Sequence, residues 1–82
     1  MAWPGCRCWF WSQDHREAHF HVLSHGNWEI RVFLGEEPPR AEVVWQFQKI
    51  PARALKDFLS RVSEQRQALF IEWDAKVQVV DP

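Results

Sequence analysis

The residues best suited to chemistry lie together in Asp14–Val22, which reads DHREAHFHV. The stretch holds three of the chain's four histidines, His15, His19 and His21, within seven positions. An imidazole titrates near pH 6.5, so a pair of histidines offers a proton acceptor and a proton donor at neutral pH. Neutral imidazole is also a common metal ligand. We therefore expect any catalytic or metal site to lie here.

The first chemistry that fits is metal binding. His19 and His21 are two positions apart, so on a strand they point to the same side and can supply two ligands to a divalent metal such as zinc. His15, Asp14 or Glu29 would complete that set.

The second chemistry is metal-free cleavage of a phosphodiester, with RNA as a possible substrate. His19 and His21 would serve as base and acid. Arg31 would hold the phosphate through paired hydrogen bonds, and Asp14 would orient a histidine.

A third interpretation is a protein-interaction module in which the stretch is structural. Asp14 would accept backbone hydrogen bonds at the turn into the strand, and the histidines would hydrogen-bond across the sheet. The chain has six tryptophans in 82 residues. Exposed Trp9, Trp11 or Trp45 would then anchor a partner, because tryptophan dominates interface energetics. We favour this interpretation over the two site hypotheses.

Composition limits the alternatives. At 82 residues the chain is one small domain, and its net charge of −1 argues against a strongly basic nucleic-acid surface. No apolar run approaches the ~20 residues that span a membrane, and the N-terminus lacks the apolar core of a signal peptide. Two cysteines, Cys6 and Cys8, are too few for a disulfide scaffold and are expected to be reduced. These features predict a cytoplasmic protein that does not associate with a membrane.

Alternating apolar residues predict an antiparallel sheet. The first segment is apolar on both faces, so we expect it to be a central strand or one covered on both sides. The last segment has an apolar face made of Ala41, Val43, Trp45 and Phe47. The predicted strands are Cys6–Ser12, Ala18–Ser24, Asn27–Phe33 and Ala41–Phe47.

The register of the middle hairpin follows from matching its faces. A one-residue slip would flip every side chain of one strand, so only a three-residue loop, His25-Gly26-Asn27, pairs apolar with apolar. This register collects the candidate residues on the face opposite the core, where they are His19, His21, Glu29 and Arg31. The predicted pairs are Val22 with Ile30, Phe20 with Val32, His21 with Arg31, and His19 with Phe33.

The C-terminal part is predicted to be helical from Pro51, which suits the first position of a helix. Apolar residues then recur at helical spacing at Leu55, Phe58, Leu59 and Val62. The pattern lapses and resumes at Leu69, so either Ser63 caps a second helix or one helix is kinked. The predicted fold is α+β, an antiparallel sheet of three to four strands followed by one or two C-terminal helices packed on one face.

Placed in order, these motifs resemble the domain-of-unknown-function 4160 family of short bacterial proteins. Its core is D-H-x-x-P-H-F-H, a strand with a glycine turn, P-x-x-A-L-K opening a helix, and a late tryptophan. Ala18 stands where the family usually has proline. The matching residues are Asp14-His15, His19-Phe20-His21, Gly26, Pro51–Lys56 and Trp73.

The resemblance implies a protein with no established activity that forms one half of a two-gene, toxin–antitoxin-like module. It therefore implies a small protein partner encoded by a neighbouring gene, or self-association. The expected function is that of an interaction component, and the alternative is a hydrolase or ribonuclease using the Asp-His…His-x-His motif.

Overall fold

Alternating apolar side chains build one antiparallel sheet from the first half of the chain. The computed structural model describes residues 1–10 and 17–77. The strands in these residues are neighbours in chain order, and two helices follow them, so the predicted α+β fold is confirmed. The strands are β1 (Arg7–Trp9), β2 (His19–Ser24), β3 (Trp28–Phe33) and β4 (Arg40–Gln46).

The hairpin between β2 and β3 has the predicted register. All four predicted pairs are present, and Ser24 opposite Trp28 closes the strands around a three-residue loop. Gly26 in that loop has φ of +76°, a left-handed conformation that glycine adopts without steric cost. The Asn27 N–H donates to the Ser24 carbonyl at 2.9 Å and completes the turn.

The hydrophobic core lies on one face of this hairpin, beneath the helices. Phe20, Val22, Ile30 and Val32 alternate along β2 and β3 and are buried. The ring of Phe58, on α1 (Ala52–Glu64), lies 6.1 Å from the Phe20 ring across this layer. The core therefore consists mainly of side chains from β2, β3 and α1.

The C-terminal part forms two helices, α1 and α2 (Arg66–Val77), separated at Gln65. Pro51, predicted at the first position of the helix, is instead the N-cap of α1, which begins one residue later at Ala52. The predicted capping role of Ser63 is wrong, because Ser63 lies inside α1 and its hydroxyl donates to Glu37 at 2.7 Å. In residues 1–10 and 17–77, no helix has the length and apolar character needed to cross a bilayer.

The prediction of a central position for the first strand is wrong. Among the described strands, β1 lies at an edge of the sheet and pairs with β2 alone. Its two apolar faces have different neighbours, since Cys8 packs against the core while Trp9 lies opposite His21. Residues 11 and 12 of the predicted strand lie outside the described residues.

A β-bulge overturns the predicted apolar face of β4. Ile30 pairs with Val43, whereas the preceding Glu29 pairs with Trp45, so Val44 is an extra residue in β4. A bulge resets the alternation of side chains. Val43 and Trp45 therefore point to opposite faces, and Phe47 is 79% exposed instead of packing in the core.

Candidate functional site

The predicted site residues that the structure describes lie together on the sheet face turned away from the helices. His19 and His21 alternate along β2 with buried core residues, and Glu29 and Arg31 do the same along β3. Asp14 and His15 were also predicted for this site and lie outside the described residues.

The two histidines are buried although they do not face the core. His19 is 2% exposed and His21 is 3% exposed. Their ring centroids are 5.2 Å apart in an edge-on arrangement. Nδ1 of His21 lies 3.4 Å from Oε2 of Glu29. The two histidines and Glu29 therefore form one polar cluster, which we call the histidine cluster.

A backbone carbonyl orients His19. Its Nδ1 lies 2.6 Å from the carbonyl oxygen of Glu17, so in the neutral ring Nδ1 carries the proton and donates it. Nε2 is then the ring nitrogen that keeps its lone pair. Such a hydrogen bond holds a histidine in one orientation, in structural and functional sites alike.

Aromatic and cationic side chains cover the histidine cluster on both sides. Trp9 of β1 stacks on His21 with centroids 5.1 Å apart, and Phe33 of β3 lies 5.2 Å from His19. Arg7 lies over Trp9, and Arg40 of β4 lies over Phe33 at 4.3 Å. Sequence reasoning placed Phe33 opposite His19 but missed the Trp9 and Arg40 contacts, which depend on how β1 and β4 join the hairpin.

Burial lowers the pKa of His21 below its ordinary value, and the neighbouring His19 lowers it further. Glu29 opposes this, because its hydrogen bond and negative charge favour the protonated ring. Desolvation is the larger effect, so the neutral imidazole is favoured.

Arg31 lies opposite His21 as predicted, but its guanidinium is engaged elsewhere. Nη1 donates to Oε1 of Glu42 on β4 at 2.8 Å. A phosphate bound by Arg31 would have to compete with this ion pair. The predicted catalytic role of His19, His21 and Arg31 therefore remains a prediction, and the position of Arg31 adds no support to it.

The described residues do not by themselves make a metal centre. Across residues 1–10 and 17–77, His, Cys, Asp and Glu side chains form no group of three or more that could hold a metal ion. Two of the five predicted ligands fall outside those ranges, so the proposed set stays a prediction. Cys6 and Cys8 are free thiols, as predicted, and burial raises the pKa of each.

A second candidate surface lies along β4, at the opposite edge of the sheet from β1. Four apolar residues there are exposed: Val43 (49%), Val44 (38%), Trp45 (39%) and Phe47 (79%). We call them the β4 surface. The indole N–H of Trp45 donates to Glu29 at 3.3 Å, so Trp45 lies next to the histidine cluster, whereas Val43 lies on the core side of the strand.

An apolar groove lies between α1 and the loop before β4. Pro38 and Pro39 form one wall, and Leu55 and Leu59 of α1 line the other. Its volume is about 540 Å³, and Lys56 is the charged residue in its lining. We call it the proline groove. The sequence predicted Leu55 and Leu59 on the apolar face of a helix, but no pattern related that face to the two prolines.

Comparison with known proteins gives one match. The model of a family described as a domain of unknown function (DUF4160) matches residues 5–74. No curated protein matches the chain. No solved structure matches it either.

Proposed function

Because the chain belongs to the DUF4160 family, whose description assigns no activity, we propose its function from its own surface. The protein binds another polypeptide chain along the outer edge of β4, which no strand among residues 1–10 and 17–77 covers. It acts as the interaction component of a two-gene, toxin–antitoxin-like module.

The observation that carries this proposal is the exposed apolar character of β4. The outer edge of such a strand presents backbone N–H and C=O groups that a further strand can pair with. Proteins usually protect such edges with charges, prolines or very short strands. β4 has seven residues. Arg40 and Glu42 place charges in its first half and a bulge lies at Val44, yet Val43, Val44 and Trp45 leave much of their apolar surface in solvent. Main-chain pairing with apolar side-chain contacts is a common way to bind a partner segment.

The burial of the histidine cluster also supports an interaction function. His19 is held by a backbone carbonyl, His21 is covered by Trp9, and both rings are almost completely buried. Burial of both rings beneath neighbouring side chains favours a structural role over contact with a ligand. The cluster then stiffens the sheet that presents β4.

Co-purification tests the proposal. The tagged chain is expressed alone and together with the product of the adjacent gene, and native mass spectrometry determines which assemblies form. We expect an assembly of two or more polypeptides for the wild type and its loss for Val44→Lys, because a charge on an edge strand opposes pairing. Ile71→Lys is the matched control, since Ile71 is an apolar residue on α2 that is 66% exposed and away from β4.

The interaction function would be overturned by a wild-type chain that stays monomeric both alone and with the adjacent gene product. Val44→Lys and Ile71→Lys behaving alike would also overturn the use of β4. Circular dichroism of both variants is the control that tests whether each is folded.

A second candidate function is metal-free hydrolysis of RNA by the histidine cluster. It is favoured by the lowered pKa of His21 beside Glu29, because a neutral imidazole can accept a proton near pH 7. It ranks second because His19 is only 2% exposed and His21 only 3%, so a phosphodiester cannot reach their rings unless the side chains that cover them move. Cleavage of RNA by the wild type, abolished in His19→Ala plus His21→Ala, would establish it, whereas intact RNA would exclude it.

A further inference from the structure

The proline groove lies on the helix side of the sheet, between α1 and the two prolines that precede β4. We propose that it receives an amphipathic helix of the partner polypeptide, with an acidic side chain of that helix opposite Lys56. The inference rests on the proposed interaction function. It specifies a second contact that the partner makes, in addition to the strand edge.

The core side of β4 is exposed, although the same side of its neighbours is covered. Val22 of β2 and Ile30 of β3 are completely buried. Val43 of β4 pairs with Ile30 and is 49% exposed. Of the seven residues of β4, six are exposed and Ala41 is partly buried. The apolar face of a sheet is normally covered by a second layer, and α1 belongs to that layer here. The position beside α1 is therefore where a further helix would extend the cover to β4.

The side of α1 that lines the groove resembles a helix-packing surface. Its lining residues form two rows at intervals of four, which are Ala52, Lys56 and Ser60, and Leu55, Leu59 and Ser63. Rows at this spacing form the ridges and grooves into which the side chains of a second helix pack. Leu55 and Leu59 are only partly buried by the chain's own core. Their remaining apolar surface is available to a partner.

Hydrogen bonding distinguishes a helix from an extended segment as the occupant. The backbone N–H groups of α1 that face the groove donate within the helix. Pro38 and Pro39 have no backbone N–H to offer. An extended segment would therefore leave its own N–H and C=O groups unpaired beside apolar side chains, which costs free energy. A helix satisfies these groups internally, so it fits the groove, whereas a strand fits the outer edge of β4.

The dimensions of the groove also suit a helix. Its lining follows α1 from Ala52 to Ser63, which is about 17 Å at the helical rise of about 1.5 Å per residue. This length corresponds to about three turns of a second helix. The volume of about 540 Å³ accommodates several of its apolar side chains.

Lys56 gives the groove a preference for an acidic partner. Its side chain is exposed and belongs to the groove lining. In the neighbouring loop, Glu36 pairs with Arg40. Glu37 accepts a hydrogen bond from Ser63. Among the described residues, no ion pair includes Lys56. A carboxylate on the partner helix would pair with its ammonium group and fix the orientation of the helix.

The affinity for the adjacent gene product, measured by isothermal titration calorimetry on the full chain, tests the groove. Ser60→Trp fills the groove from an exposed position, and Lys56→Glu reverses its charge. We expect each substitution to raise the dissociation constant at least tenfold. Ala68→Trp adds similar bulk at an exposed position on α2, and Arg53→Glu makes the same charge change on α1. Neither residue lines the groove, so both controls should keep the wild-type affinity. Circular dichroism tests whether each variant is folded.

A zero-length crosslink identifies the acidic residue of the partner. A carbodiimide couples a lysine amine to a carboxylate that pairs with it, and mass spectrometry locates both ends. We expect Lys56 to be joined to an Asp or Glu in a segment whose apolar residues recur at helical spacing. A synthetic peptide of that segment should become helical when it is mixed with the wild-type chain, and should remain unchanged with Ser60→Trp.

The inference is overturned if Ser60→Trp and Lys56→Glu leave the dissociation constant unchanged, or if Lys56 is crosslinked to a segment without helical spacing. A small apolar ligand that Ser60→Trp displaces, with the affinity for the partner unchanged, would also overturn it.

Three further outcomes separate the groove from the strand edge. Binding that is lost in Val44→Lys but unaffected by both groove substitutions would overturn the helix contact and leave the proposed function standing. Association of the chain with itself alone would have the same consequence. A chain that binds nothing would overturn both.

Discussion

His21 couples the stability of the sheet to pH through its burial. Its pKa is lowered in the folded protein, while in the unfolded chain it stays near 6.5. Below pH 6.5 the unfolded chain therefore binds more protons than the folded one. The contribution of His21 to the free energy of unfolding is therefore fully present above pH 6.5. It decreases as the pH falls from 6.5 towards the lowered pKa of His21 in the folded protein. Denaturant unfolding between pH 5 and 8 should show this loss in the wild type.

Two variants distinguish the effect of His21 on stability from the effects of other titrating groups. His21→Leu removes the titrating imidazole and leaves an apolar side chain against Trp9. The free energy of unfolding of this variant should therefore fall less than that of the wild type as the pH drops. His25→Gln changes an exposed histidine in the turn and should keep the wild-type pH dependence. Equal pH dependence for His21→Leu and the wild type would contradict this role of His21.

The sheet face on which the histidines lie could be predicted from the sequence, but the side chains that cover them could not. His19 and His21 alternate with Phe20 and Val22, so burying the apolar pair fixes the side of the imidazoles. Their burial depends on Trp9, which reaches His21 only through the pairing of β1 with β2. That pairing joins segments that no local pattern relates, because nine residues separate β1 from β2, too many for a tight turn to fix their register.

Among the elements, the β2–β3 hairpin is the one whose register the sequence determines fully. Both strands alternate without interruption, and Gly26 suits the turn between them. Gly26→Ala should lower the free energy of unfolding by about 1–2 kcal/mol, because φ of +76° is strained for a residue with a side chain. Urea unfolding measures the change.

The control for this substitution is Gly35→Ala in the next loop. Gly35 does not have a positive φ, and a methyl group there would meet nothing within 4 Å. Its effect should stay within about 0.5 kcal/mol. Equal losses at Gly26 and Gly35 would show that backbone strain is not the cause.

β4 shows where strand patterns mislead. Ala41, Val43, Trp45 and Phe47 read as one apolar face, which predicts a half-buried strand. The bulge at Val44 divides that face, because one extra residue turns everything after it to the other side. Bulges have no strong local signature, so neither the exposure of Phe47 nor the direction of Trp45 could be predicted.

In the whole molecule, the two edges of the described sheet are protected unequally. β1 has three residues, and short edge strands offer little for a partner to pair with. β4 has seven residues, and although Arg40, Glu42 and the bulge protect part of it, Val43, Val44 and Trp45 remain exposed in its second half. One sheet face is covered by α1 and α2, and the other contains the buried histidine cluster. Association is therefore expected through β4.

If β4 pairs with the β4 strand of a second copy, thermal stability depends on protein concentration. Mass action stabilises a dimer by about 2.7 kcal/mol for a hundredfold rise in concentration, shared between two chains. For a chain of this length that share corresponds to a rise in Tm on the order of 5 °C. Differential scanning calorimetry across that range should show the rise for the wild type and for Ile71→Lys. Val44→Lys should melt at a nearly constant temperature, and a wild type with an equally constant Tm would contradict self-association through β4.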